Sequence, residues 1–239
     1  MNLSKVVTRI KLKLGLLNIA TPFEDLDGTI TTIIQDITVP VFSIYEPYRT
    51  KIKLQTNDLE LIEKTAEYHK YLLPDWKNKT LLYVTSIDYD SGSLAGIGAY
   101  GAIPYVNQNI TGEILIANAG MQVMNGMVPK ITFHFEKPRT LYVFKAYSYS
   151  ELVIGLGFQH DKSLASIPES ASESFYKLAL LDVKENLYPT IQQFSEVNTP
   201  LGTINFKVDS WADADSQRLE LLQQWDDVYH LDSMSQWYG

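Results

Sequence analysis

The chain has 239 residues, 45% hydrophobic and 20% charged, which is apolar material enough for a sizeable core and excludes global disorder. A formal net charge of −8 argues against nucleic acid as the principal ligand, while leaving room for passive contact with DNA that slides past. With no cysteine, disulfide scaffolds, thiolate metal sites and cysteine nucleophiles are excluded, and fifteen tyrosines suit extended contact surfaces.

The first forty residues read as helical. Lys5, Arg9, Lys11 and Lys13 interleave with Leu3, Val6, Ile10, Leu14 and Leu17 at helical spacing, unlike the separated blocks of a signal peptide. This predicts a basic amphipathic surface helix. A helix lying on a membrane surface is the alternative, though no membrane partner is expected; no run is long and apolar enough to span a bilayer, and the chain reads as cytoplasmic at synthesis. A second helix starts between Thr21 and Asp25, with Leu26, Ile30, Ile33, Ile34 and Ile37 on one face, and Pro40 ends it. "VFSIYEPYRTKIKLQT" reads as extended, with a break at Pro47. "NDLELIEKTAEYHKYLL" reads as a helix capped by Asn57 or Asp58 and stopped by Pro74. From Thr80 to Gln159 the alternation becomes that of strands: "LLYVTSIDY", "EILIANA", "KITFHFE", "TLYVFKAYS" and "ELVIGLGF", with Lys137-Pro138-Arg139 as a turn. Helix returns over "SIPESASESFYKLALLDVKENLY", with a capping box from Ser166 to Glu169 and an end or kink at Pro189. "LGTINFKVD" is one more strand. "SWADADSQRLELLQQWDDVYHLD" is a last helix, with a capping pattern from Ser210 to Asp213 and an apolar stripe of Trp211, Ala214, Leu221, Leu222 and Trp225.

The expected fold class is α+β: an antiparallel β-sheet or barrel core at about residues 80–160, helices before and after it, and a long inserted loop. The expected organisation is a single domain over 1–239, with a helical region at 1–38, a mainly β core at 39–160, and C-terminal helices and tail at 161–239.

Inside the loop, Gly96, Gly98 and Gly101 spell G-x-G-x-x-G, the spacing of a dinucleotide-binding turn. The context does not support that chemistry. No strand runs directly into Gly96, Pro104 opposes a following helix, and no carboxylate stands about twenty residues on. The glycines read instead as freedom of shape, and the apolar residues between them as something to bury. Leu94, Gly96, Ile97, Gly98, Tyr100 and Gly101 are therefore expected to order against a partner, the alternative being a loop folded back on its own core. Trp237 and Tyr238, at the end of "LDSMSQWYG", either contact a partner or fold back in the same way. None of His69, His134, His160 and His230 has a neighbour at metal-site spacing, and His160-Asp161 reads as a turn cap after a strand. Asp88 and Asp90 lack the rest of a calcium loop. Asp213, Asp215, Glu220, Asp226 and Asp227 fall largely opposite the last helix's apolar stripe, as a face turned to solvent or to a channel would. No catalytic residue, cofactor or metal is expected.

The C-terminal third, with Phe175, Leu178-Ala179, Asp182-Val183-Lys184 and Leu187-Tyr188, then "TPLGTINFKVDSW" and "WDDVYHLD", resembles the end of neck proteins of tailed bacteriophages, the head-to-tail connector components. "ITVPVFSIYEPY" and "YLLPDW" are weaker echoes upstream. The resemblance implies a virion structural protein without enzymatic activity, assembled in the host cytoplasm. It implies a hexameric or dodecameric ring of identical subunits, touching adjacent portal, neck or tail proteins and surrounding the DNA channel. A tail or baseplate protein is the nearest alternative, and a nucleotide-binding or hydrolytic enzyme the alternative from another class.

Overall fold

The computed structural model describes residues 1–17, 23–77, 79–89, 131–144, 151–193, 196–199, 202–205 and 211–229. The chain forms two compact units. One comprises Met1–Tyr48, Asn78–Thr80 and Phe158–Gly239, and the other Arg49–Lys77 and Leu81–Gly157.

The first unit is helical. Helix α1 (Leu3–Leu14) starts where the Asn2 side chain accepts the Ser4 N–H, and ends at Gly15, whose left-handed φ of 70° favours a residue without a Cβ. The Leu16 N–H then reaches back to the Lys11 carbonyl at 2.9 Å, and Leu16 drops into the core beside Val6, Val7 and Ile10. Helix α2 (Leu26–Ile33) is capped by Asp25, as the sequence indicates, through a 2.8 Å bond from the Gly28 N–H.

Pro40 does not end the helical run. A π-helical stretch, Ile34–Thr38, passes into α3 (Val39–Tyr45), so "VFSIY" is helix rather than strand. The proline sits in the first turn of α3, where an N–H is dispensable and the wider π turn makes room for the ring. Burial of Ile34, Val39 and Phe42 holds that register. Helix α4 (Ser172–Gln193) likewise runs on past Pro189. A proline inside a helix costs about 3 kcal/mol, and Leu187 and Ile191, both buried on either side of it, offset that cost. Ser166 does not cap this helix; a 3-10 turn, Glu169–Ala171, leads into it instead. The strand read at "LGTINFKVD" is the second limb of an antiparallel hairpin, β8 (Glu196–Thr199) with β9 (Gly202–Asn205). Helix α5 (Ala214–Tyr229) closes the described chain.

The second unit holds two sheets. Strands β1 (Tyr48–Gln55), β7 (Glu151–Phe158) and β4 (Leu81–Tyr89) form one, in the order β1-β7-β4. Central β7 carries Gly155, where a Cβ would lie 2.3 Å from Thr85 Oγ1; only glycine lets the two strands approach so closely. The other sheet has the order β2-β3-β6-β5, all antiparallel, from β2 (Glu60–Lys64), β3 (Tyr68–Leu72), β6 (Thr140–Phe144) and β5 (Phe133–Glu136). Lys137-Pro138-Arg139 is the turn between β5 and β6. The antiparallel sheet core with flanking helices holds; among the described residues the sheets are open and no barrel closes.

The helix expected over 57–73 is the β2–β3 hairpin. Thr65 shapes its turn, its hydroxyl accepting the Tyr68 N–H at 3.0 Å. Long-range pairing decides the outcome: every residue of β3 pairs with β6, and Tyr68 packs edge-on to Tyr142 and Phe144. No helix over this segment could supply those partners. Asn57 and Asp58 lie in a short 3-10 turn before the hairpin.

Candidate functional site

The predicted partner residues Leu94, Gly96, Ile97, Gly98, Tyr100, Gly101, Trp237 and Tyr238 all lie outside the described residues, as do "EILIANA", Asp90 and His230. The described surface offers two charged helix faces, both on the helical unit.

Helix α5 is seated by its apolar stripe. Ala214 is buried with Trp211 just before the helix, and Leu221, Leu222 and Trp225 pack against the core. The Trp225 ring meets Phe42 edge-on at 5.8 Å and Tyr45 at 5.3 Å. Arg218 points inward: its Nε donates to Asp182 Oδ1 at 2.5 Å, and the Thr38 hydroxyl donates to Asp182 Oδ2 at 2.7 Å. Asp182 is fully buried, so this one carboxylate joins the π stretch, α4 and α5. Burial pushes the Glu185 carboxyl up despite the nearby Arg218 cation. Tyr45 is pushed up to about 12, first by burial and then by its hydrogen bond to Asp226. With Arg218 committed to the core, the outward face of α5 carries Leu219, Glu220, Gln223, Asp226 and Asp227, all exposed. The solvent-facing acidic face read from the sequence is therefore present.

Helix α1 shows the opposite sign. It has no acidic residue, and its exposed side carries Lys5, Thr8, Arg9, Leu12 and Lys13. Arg9 lies 3.9 Å from the centre of the Tyr176 ring and pairs with Glu173 at 3.0 Å, while Lys11 pairs with Asp27 at 2.7 Å. Lys5 and Lys13 have no ion-pair partner among the described residues. An open cavity of about 450 Å³ lies beside Lys5, Val6, Arg9 and Tyr176. The exposures of Leu12 (63%) and Leu219 (57%) place one large apolar side chain in the middle of each charged face.

The remaining polar groups have structural work. His160 Nε2 donates to the Glu46 carbonyl at 2.7 Å, Nδ1 meets the Ser166 hydroxyl at 3.0 Å, and the ring is buried against Phe42. Within the helical unit this ties His160 to the end of α3; the ring's second partner is a backbone carbonyl, not the carboxylate of a catalytic triad. Asp161 caps the following turn as expected, accepting N–H groups from Ser163, Ala165 and Ser166. Burial raises its carboxyl, but the hydrogen bonds from Ser163, Ser166 and Ala165 outweigh it and hold the group well below the usual carboxylate range. Asp88 lies near the Ser86 hydroxyl and Lys51, and among the described residues no cluster of three His, Asp or Glu could hold a metal ion.

His160 makes stability depend on pH. Burial lowers its pKa from 6.5, so the folded state resists protonation while the unfolded state does not. Its contribution is present above pH 6.5 and is lost as pH falls below that value through the folded pKa. The melting temperature should therefore drop between pH 7.5 and 5.5. His69 is shifted in the same direction by burial, so the comparison that isolates His160 is with His160→Gln, whose profile should be flatter. Parallel profiles for the two proteins would refute the assignment.

No helix among the described residues is long and apolar enough to cross a membrane. No individually curated protein shows significant similarity to the chain. Over residues 1–235, however, the sequence matches the family described as bacteriophage ring protein. The chain belongs to that family: it is a phage structural protein whose copies assemble into rings.

Proposed function

We propose that this ring is part of the phage neck, a hexamer or dodecamer between portal and tail that surrounds the DNA channel and has no enzymatic activity. The observation that carries the reading is family membership across nearly the whole chain, joined to the likeness of the C-terminal third to connector proteins. Assembly takes place in the host cytoplasm, and the finished protein resides in the virion. Antibody labelling of intact virions tests the location. Label at the head–tail junction supports the neck; label at the distal tip of the tail overturns it in favour of a baseplate role.

The charge suits a conduit. A net charge of −8 repels phosphates, and tight DNA binding needs Lys and Arg to displace counterions. The purified protein should show no measurable affinity for duplex DNA at physiological salt. Submicromolar binding in that buffer would count against passive passage.

The glycine-rich loop and the terminal aromatics are proposed to order against a neighbour, burial offsetting the entropy lost. Replacing residues 93–102 with a Gly-Ser linker should leave the melting temperature unchanged and abolish incorporation into particles. Normal incorporation would reduce the loop to local packing. Tight NAD or FAD binding, lost on the replacement, would instead restore the nucleotide reading of Gly96, Gly98 and Gly101.

A further inference from the structure

Resting on the ring-forming reading, we infer that the outward face of α1 on one subunit docks on the outward face of α5 on the next, antiparallel, with Leu12 against Leu219. A ring of more than two copies needs a heterologous interface: two different patches on each subunit, complementary to one another. The helical unit presents such a pair. The charged groups of one face, around Leu12, are all cations, those of the other, around Leu219, are all carboxylates, and both leucines are more than half exposed.

The spacing matches as well as the sign. Lys5 stands seven residues before Leu12, and Asp226 stands seven residues after Leu219. Seven residues are two helical turns, about 10 Å along the axis at 1.5 Å per residue, and they return nearly to the same face. Laid antiparallel with the leucines in contact, the helices set Lys5 opposite Asp226. One residue beyond each leucine, Lys13 and Glu220 then fall on the same flank, within reach of each other. Lys5 and Lys13 are the cations of α1 left without an ion-pair partner among the described residues. A parallel arrangement gives no such match, because the charge of one face would run beyond the end of the other. Covering an exposed leucine on each side supplies an apolar centre, and the charges around it set orientation and exclude wrong registers.

The chain contains no cysteine, which permits an unambiguous test. The variant Leu12→Cys/Leu219→Cys, altered only at exposed positions, is oxidised and run under denaturing conditions without reductant. The expected result is a ladder of covalent multimers rising to the ring order given for the unmodified protein by native mass spectrometry. A ladder that stops at the dimer, or no cross-link while the parent protein forms rings, overturns the interface and leaves the ring reading standing. A parent protein that forms no ring overturns the reading beneath it as well.

Charge reversal gives a second, independent readout. Lys5→Glu/Lys13→Glu and Glu220→Lys/Asp226→Lys should each lower the ring fraction at least tenfold. Carrying all four changes in one chain should restore it. Rings that persist in both reversed variants, or a fourfold variant that stays monomeric, would overturn the assignment.

Discussion

Arg218→Met should lower folding stability by about 3–5 kcal/mol, the cost of stranding one member of a buried ion pair. At roughly 2–4 °C per kcal/mol, the melting temperature should fall by about 6–20 °C. The reason lies in Asp182, which has no solvent-exposed surface. Its two carboxylate oxygens are held by Arg218 Nε and the Thr38 hydroxyl. Remove the guanidinium and one oxygen keeps only the more distant surroundings of α5, at a depth where water cannot replace the lost donor. Attraction between the charges is not in itself the main source of stability, since desolvating both costs several kcal/mol. The double variant Arg218→Met/Asp182→Leu should therefore recover most of the loss. Thermal melts of parent, single and double variants settle the matter. A single variant within about 0.5 kcal/mol of the parent, the usual range for neutral surface changes, would show that the pair is solvated after all.

Much of the helical unit was legible in the sequence, for a physical reason that recurs. Where a segment buries one face on the core at its own helical or turn period, periodicity reports it directly, whichever part of the chain completes that core. Leu3 to Leu14, with Val6 and Ile10 buried, is such a case; so are the Asp25 cap, the Trp211/Leu222/Trp225 stripe and the Asp161 turn. The failures fall where distant residues decide. Tyr68 to Leu72 have a usable helical pattern, and become a strand because β6, some seventy positions on, offers Tyr142 and Phe144 as cross-strand partners. Pro40 was read as a stop on local sterics and is overridden by burial of Phe42, and of the end or kink read at Pro189 the end is ruled out, since the helix runs on past it with Ile191 buried. The Asp182 network was missed although its signal is present: Leu178, Ala179, Asp182 and Val183 share the buried stripe of α4, and a carboxylate on such a stripe demands a partner. Its partner could not be read, because Arg218 follows thirty-six residues later on a helix whose face only the fold defines. The complementary faces of α1 and α5 are visible in outline as a run of cations and a run of carboxylates. Which of those charges are already satisfied within the subunit is a fact of three dimensions.

The largest single loss from the apolar core should come from Phe42→Ala. A buried phenylalanine replaced by alanine costs about 3–5 kcal/mol, the spread reflecting how far the site can collapse. Collapse recovers little of the volume lost here, because the ring serves three neighbours at once. It packs edge-on to Phe175 of α4 at 5.1 Å and to Trp225 of α5 at 5.8 Å, and lies 5.8 Å from the His160 ring at the end of β7. Each of those side chains is itself anchored elsewhere, His160 by the Glu46 carbonyl and α5 by Asp182, so none is free to move into the void. The variant should melt about 6–20 °C lower by the same scaling, and Trp225 emission should shift to longer wavelength as water reaches the indole. A double-mutant cycle with Trp225→Ala separates seat from cavity. Aromatic pairs of this geometry contribute about 0.5–1.5 kcal/mol beyond area, and contacting residues couple on that order. The two substitutions should therefore cost less together than their sum. Strict additivity would mean that Trp225 does not rest on Phe42.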